Sequence, residues 1–174
     1  EEARAKIEDA LNLRKEMGET FTPFVYELTF EQTYSIWGYL SFTNHKYVNI
    51  GGAHPTKTME SRTYSTSWEI DLSVSDILIE YSLGTSLVKY VTNLFVEKLK
   101  EIAPESADIY TFDYVKENLG NVQFYITGKG LVLYCNPGDL APYALGVISV
   151  EVPYSPELFY MDMRQVNEEE IVYE

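Results

Sequence analysis

The feature that most constrains the fold is the order of two hydrophobic periodicities along the chain. Apolar residues alternate with period two in residues 24–42 and 61–70, and again in 122–135 and 148–152, which predicts strands. Between these blocks, apolar residues recur at three- and four-residue steps over residues 87–102, which predicts a helix. Strands, then helices, then strands predict an α+β fold, with an antiparallel β-sheet and two or three helices packed on one side.

The strand blocks carry their own boundary signals. Residues 24–30 and 36–42 are two predicted strands, joined at residues 31–33 by a turn or by a bulged continuation. Residues 61–70 form a third strand, whose polar face is predicted to be solvated. That face carries Thr63, Ser65, Ser67 and Glu69. Glycines within residues 128–130 predict the turn of a hairpin in the last third of the chain.

Three helices are predicted. The first covers residues 3–17, and the central one covers residues 87–102, with Thr85 as its N-cap and Pro104 directly beyond its end. A shorter helix follows at residues 107–118.

No internal repeat, low-complexity segment or linker divides the chain, so residues 1–174 are predicted to form a single domain. In this prediction the helix at 3–17 precedes a core of about residues 20–154. The acidic tail, residues 155–174, either adds one weak strand or frays.

Charge limits the classes of partner. The chain has 27 acidic and 13 basic residues, a formal net charge of -14, and no cluster of Lys or Arg. This field repels phosphate backbones, so we predict no nucleic-acid partner. The same field favours encounter with a cationic protein, although solubility alone also explains an acidic surface. Cys135 is the only cysteine, which excludes an intrachain disulfide, and its apolar surroundings predict a buried, inert thiol.

The segment Gly51–Pro55 is the most unusual local sequence, because it sets two glycines before His54 and a proline after it. In a functional interpretation, His54 is a metal ligand, a general base or a ligand contact. In a structural interpretation, it belongs to a tight connection between strands. The only other histidine, His45, lies at a spacing that matches no zinc motif. We therefore predict neither a metal site nor a cofactor.

A second group of candidates follows from loops and carboxylates. The loop at residues 136–146 contains two prolines and two glycines, and its Tyr143 either contacts a partner or pins the loop to the domain. Three carboxylates, Glu69, Asp71 and Asp76, either bind a hard cation or are simply solvated. No nucleophile elbow, phosphate-binding loop or His-Glu-x-x-His helix is present, so no catalytic residue is predicted. The candidate binding residues are His54, Trp68, Asp139 and Tyr143.

Two groups of motifs carry a family resemblance. The first comprises Gly51–Pro55, Trp68–Leu72 and Ser75–Leu78. The second comprises Phe124–Thr127, Gly130–Tyr134, Asn136, Ala141–Ala144, Gly146 and Val150–Tyr154. Together, over about residues 20–154, they resemble the RsiV/PdaC-like bacterial domain family, that is, domain of unknown function 3298 with part of the preceding PdaC/RsiV-like domain. Cys135 and Gly138 depart from the bulkier residues more usual in that loop.

The resemblance implies an α+β fold and an extracytoplasmic location at the bacterial envelope, in a parent protein that is membrane- or lipid-anchored. It also implies a non-catalytic binding or sensing role, like that of the lysozyme-sensing ectodomain of RsiV-type anti-sigma factors. The expected partner is a cationic protein such as lysozyme, or a cell-wall component. Two alternatives remain open: an accessory module of a PdaC-like cell-wall-modifying protein, and a glycan hydrolase that uses acidic residues.

Overall fold

The computed structural model describes residues 2–18, 24–36, 38–50, 55–120 and 122–160. The first four strands form an antiparallel sheet in the order β1-β2-β3-β4. These strands are β1 (Val25–Ile36), β2 (Tyr39–Asn49), β3 (Thr56–Ser65) and β4 (Ile70–Asp71). The last three strands form a separate antiparallel sheet in the order β5-β6-β7. They are β5 (Gln123–Thr127), β6 (Gly130–Cys135) and β7 (Ile148–Pro153).

The first hairpin turns later than its sequence pattern predicts. β1 continues through residues 31–33 as a bulged strand, with a register shift between Gln32 and Tyr34. The chain reverses at Gly38, whose φ of 80° lies in the left-handed region that suits glycine. The single strand predicted at residues 36–42 is therefore wrong. Apolar residues flank the turn on both sides, so the alternation runs across it without a break.

The helices are α1 (Glu2–Met17), α2 (Val74–Ile77), α3 (Leu87–Ile102) and α4 (Phe112–Asn118). The N-cap of α3 is Ser86, whose hydroxyl accepts a 3.3 Å bond from the Lys89 amide, so the prediction of Thr85 was one residue early. The helix predicted at residues 107–118 is shorter in the structure, because Thr111 caps it by accepting from the Tyr114 amide. No helix in the described part of the chain is long and apolar enough to span a membrane.

One hydrophobic core joins α3 to the second sheet. Phe95 and Leu99 of α3 are fully buried, as are Ile126, Leu131 and Leu133 of the sheet. Fully burying a side chain of this size stabilises the fold by about 1.5–3 kcal/mol. The α+β class is confirmed, with the strands divided between two antiparallel sheets.

The two sheets meet through side-chain hydroxyls. β5 is an edge strand, and its free edge presents the carbonyl of Phe124 and the amide of Ile126. Ser61 Oγ donates to the Phe124 carbonyl at 2.5 Å, and Ser41 Oγ accepts from the Ile126 amide at 3.1 Å. Hydroxyls of the first sheet thus take the place of a neighbouring strand, which leaves these buried backbone groups paired.

This junction overturns the predicted solvation of one strand face. Thr63 and Ser65 are buried, and Ser41 Oγ lies 2.9 Å from Thr63 Oγ1. The prediction failed because small hydroxyl residues in a strand suit either solvent or a polar junction, and only the partner element decides between them. The strand also ends at Ser65, so that Ser67 and Glu69 lie in an exposed turn.

The segment after β7 returns to the α2 region. Leu78 forms a bridge with Phe159, and the Ile79 amide donates to the Leu158 carbonyl at 2.8 Å. The first part of the predicted acidic tail, up to residue 160, is thus tied to the domain. Residues 161–174 lie outside the described residues.

Candidate functional site

The three candidate binding residues in the described part of the chain, Trp68, Asp139 and Tyr143, do not form one cluster. His54 lies outside the described residues, in the connection between β2 and β3. Trp68 lies in the turn after β3, where it is 55% exposed, with its ring edge-on to Tyr39 at 6.4 Å between centroids. Asp139 and Tyr143 share the loop after β6.

That loop seals the free edge of β3. The side-chain amide of Asn136 accepts from the Met59 amide at 2.7 Å and donates to the Met59 carbonyl at 2.9 Å. The Tyr143 hydroxyl accepts from the Lys57 amide at 2.7 Å and lies 3.0 Å from the Pro55 carbonyl. Four backbone groups along an otherwise open edge are thereby paired. Tyr143 therefore pins the loop through its hydroxyl, while 42% of the residue stays exposed.

Asp139 shapes the loop from within. Its carboxylate accepts a 3.2 Å bond from the Asn136 amide, and its own amide donates to the Asn136 carbonyl at 3.1 Å. This pair of bonds closes a tight turn that holds Asn136 against β3. The neighbouring thiol of Cys135 is buried, and burial together with the Asp139 charge raises its pKa to about 12.

The three carboxylates at the end of β3 and beyond have separate surroundings. Asp71 binds Arg62 through two bonds, and this hydrogen bonding lowers the Asp71 pKa. Asp76 accepts from the backbone and hydroxyl of Ser73 at the start of α2, which lowers the Asp76 pKa. Glu69 lies in the preceding turn with a φ of 59°. Within the described residues, no three His, Cys, Asp or Glu side chains converge as a metal site would require.

A groove lies on the first sheet. The strand register places Phe30, Asn44 and Glu60 in one row across β1, β2 and β3. The next row places Gln32, Phe42 and Arg62 side by side in the same order. Because adjacent strands lie about 4.8 Å apart, each row spans roughly 10 Å. The rows lie two residues apart along each strand, so their side chains share one face of the sheet.

Other elements complete this groove, which has a volume of about 840 Å³. Its apolar lining comes from Phe30, Phe42, Leu72, Val122 and Phe124. Its polar lining comes from Thr43, Asn44, Glu60, Ser61, Arg62, Thr63, Asp71 and Gln123. A groove of this size, with aromatic walls and a few polar groups, has the dimensions and composition of a ligand-binding cleft.

The charges in the groove favour a cation. Arg62 is held by Asp71 at 2.5 and 2.9 Å, and this bidentate contact raises the Arg62 pKa and neutralises the pair. Glu60 is the remaining charged residue of the described lining, so the lining carries a net charge of -1. Phe30 is 71% exposed and lies in the same row as Glu60. A ring at one end of this row and a carboxylate at the other suit a partner segment that carries both an apolar side chain and an ammonium or guanidinium group.

Sequence reasoning missed the groove because its residues come from distant segments. Phe30, Phe42 and Phe124 each read as ordinary strand aromatics, and no local motif connects them. The pairing of Phe30 with Asn44 depends on a register that the bulge in β1 and the late turn at Gly38 set together, and the pairing of Asn44 with Glu60 depends on the separate register of β2 and β3.

Comparisons with known proteins agree with the architecture. Residues 83–155 match the family model described as "Protein of unknown function (DUF3298)", and no curated protein matches the chain in sequence. A DUF3298 family protein from Pseudomonas aeruginosa PAO1 has a similar structure, with 15% identity, a TM-score of 0.54, and coverage of 88% of this chain and 70% of that one. A DUF3298 member from Bacteroides fragilis NCTC 9343 is 19% identical, with a TM-score of 0.58 and coverage of 88% and 61%.

These relatives establish a fold and leave the activity open. At such identities, structural likeness speaks for architecture alone. The chain spans about two thirds of the length of the two solved relatives. The chain thus shares its fold with solved DUF3298 proteins, and its residues 83–155 match that family in sequence.

Proposed function

We propose that this chain is a non-catalytic binding domain that holds a basic, partly apolar segment of a cationic protein in the groove lined by Phe30, Phe42 and Glu60. The observation that carries the proposal is the row of Phe30, Asn44 and Glu60, which sets an exposed ring at one end and a carboxylate at the other in a groove of about 840 Å³. The formal net charge of -14 adds long-range attraction for a cationic partner.

The charge state of the groove supports binding without catalysis. A glycan hydrolase needs one carboxyl group that stays protonated near neutral pH to act as the acid. Asp71 has the opposite tendency, since its bonds with Arg62 lower its pKa. Arg62 and Asp71 neutralise each other's charge. Glu60 is therefore the carboxylate of the groove that can bind an incoming cation.

The location and the biological role are part of the same proposal. We propose an extracytoplasmic domain of an anchored envelope protein, as the resemblance to the RsiV/PdaC-like family implies, with sensing of a protein such as lysozyme as its role. A second candidate is an accessory module that binds cell-wall glycan. Three phenylalanine rings next to hydroxyl and amide side chains favour it, because such rings stack against the apolar faces of sugars.

The proposal is tested by measuring the affinity of a basic lysozyme for the chain at low and moderate salt. Binding should weaken as ionic strength rises, because charge steers the encounter. Glu60→Lys should weaken it by about tenfold or more, since it sets a cation where the partner's cation binds. Phe30→Ala should also weaken it, with little effect on folding because the ring is exposed.

The matched control is Glu117→Lys on α4, which changes the net charge as much as Glu60→Lys does, at an exposed position outside the groove. It should change the affinity by less than about threefold. If both variants weaken the affinity equally, the binding reflects the overall charge of the chain and the groove proposal is wrong. Absence of binding at low salt would overturn the lysozyme version. The glycan candidate would be favoured instead if the chain bound N-acetylglucosamine oligomers with an affinity that Phe30→Ala weakens and that does not depend on salt.

A further inference from the structure

The outer edge of β1 is open in the described part of the chain. β1 pairs with β2 along one side, and no described residue pairs with its other side. Residues 26–32 are exposed on both faces of the strand. Exposed edges are normally blunted by lysine, proline or a covering element, and β1 contains neither lysine nor proline.

The exposed part of β1 has an apolar face. Tyr26, Leu28 and Phe30 follow one another on one side of the strand, and all three are exposed. Glu27, Thr29 and Glu31 occupy the other side. A long edge with one apolar face is a template for adding another strand.

We propose that β1 pairs with β1 of a second copy of this chain, antiparallel, with Leu28 opposite Leu28 on the twofold axis. This register sets Tyr26 of each copy opposite Phe30 of the other, so six apolar side chains form one stripe. It uses residues 25–31, all of which precede the bulge between Gln32 and Tyr34. The two four-stranded sheets then form one continuous sheet of eight strands.

Charge selects this register over its neighbour. With Leu28 on the axis, Glu27 lies opposite Thr29, and Glu31 lies opposite Val25. Moving the axis by one residue, to Thr29, sets Glu27 directly opposite Glu31, with Cβ atoms about 5 Å apart. Like charges at that distance oppose pairing, so the strand is self-complementary at the Leu28 register.

Association is expected to be weak and to depend on salt. A single pair of strand edges buries less surface than a standard protein interface. Two copies that each carry a formal net charge of -14 also repel one another at low ionic strength. Salt should therefore strengthen the dimer, whereas it should weaken the proposed groove binding. This opposite salt dependence keeps the two proposals separable, and Leu28 does not line the groove.

Sedimentation equilibrium of the whole chain at about 50 and 500 mM NaCl tests the proposal. We expect a monomer–dimer equilibrium that shifts toward the dimer at the higher salt. Leu28→Lys should weaken dimerisation at least about tenfold, because it sets two cations face to face on the axis. Tyr81→Lys is the matched control at a residue that is 83% exposed in another part of the chain, and it should leave the equilibrium unchanged.

Cross-linking tests the register itself. In Leu28→Cys, the new thiol is the accessible one, since Cys135 is buried and its pKa is raised to about 12. Mild oxidation should link two copies through residue 28. Thr29→Cys, on the opposite face and opposite Glu27, should link more slowly. A monomer at both salt concentrations, equal weakening by Tyr81→Lys, or equal cross-linking of the two cysteine variants would each overturn the proposal.

Discussion

Replacing Asn136 with alanine should expose how much the loop after β6 contributes to stability. The Asn136 side chain pairs with both backbone groups of Met59, at 2.7 and 2.9 Å, and Met59 is buried. Alanine removes both bonds, so the Met59 amide loses its Asn136 acceptor and the Met59 carbonyl keeps only the longer bond of 3.4 Å from the Tyr134 hydroxyl. The β3 edge at this point has no other described strand beside it, because β4 pairs only with Tyr64 and Ser65.

The expected magnitude follows from the loss of the two Asn136 bonds at Met59. A buried donor or acceptor that loses its partner costs about 1–3 kcal/mol. Partial entry of water and the remaining Tyr134 bond to the Met59 carbonyl limit that cost, so we expect Asn136→Ala to lower the free energy of unfolding by about 1–3 kcal/mol. Asn136→Asp keeps an acceptor for the Met59 amide but sets a carboxylate against the Met59 carbonyl. Its stability relative to the wild type should recover in part at acid pH, where a protonated carboxyl group can donate.

Urea unfolding, followed by circular dichroism, measures this loss, and amide hydrogen exchange at Met59 locates it. The matched control is Asn118→Ala, which removes a single exposed bond of 2.8 Å from the Asn118 side chain to the Tyr114 carbonyl at the end of α4. It should cost less than about 1 kcal/mol. If Asn136→Ala costs no more than this control, or leaves exchange at Met59 unchanged, then the loop does not seal the edge of β3 as described.

Three further predictions concern the second sheet. Tyr134→Phe removes a buried hydroxyl 2.9 Å from two polar partners and should cost about 1–2 kcal/mol in urea unfolding. Burial raises the pKa of Tyr134 to about 12 from 10.0, so its stabilising effect is complete below pH 10 and is lost as the pH rises toward 12; the alkaline decline should be smaller in Tyr134→Phe. The thiol of Cys135, with its pKa raised to about 12, should react with a disulfide reagent at pH 8 only as fast as the chain opens, and urea should accelerate the reaction. Gly130→Ala would bring a Cβ to 2.2 Å from the Val152 carbonyl oxygen and should cost more than about 2 kcal/mol, whereas Gly120→Ala, with nothing within 4 Å of the new Cβ, should not.

The elements with strong local signals could be predicted from the sequence. The helix over residues 87–102 has a hydrophobic stripe, a nearby cap and Pro104 beyond its end, and the structure contains it with the same bounds. The hairpin of β5 and β6 followed from alternation around a glycine turn. These signals act within a few residues of the structure they specify, so one sequence is enough to detect them.

Features that depend on contacts between distant segments could not be predicted. Thr63 is buried because β5 packs against the first sheet. No residue close to Thr63 in the sequence indicates this packing. The role of Asn136 depends on an open strand edge 77 residues earlier in the chain. The groove likewise needs the register of three strands, in which a one-residue bulge decides which side chains share a face.

The central claim is that a basic partner binds in the groove of the first sheet. Amide chemical shifts of the chain, recorded by NMR while a basic lysozyme is added at low salt, test it most directly. We predict that the largest shifts lie at Phe30, Asn44 and Glu60 and their neighbours, and that Glu60→Lys abolishes them. Shifts confined to α3 and α4, or spread evenly over the acidic surface and unaffected by Glu60→Lys, would contradict the claim.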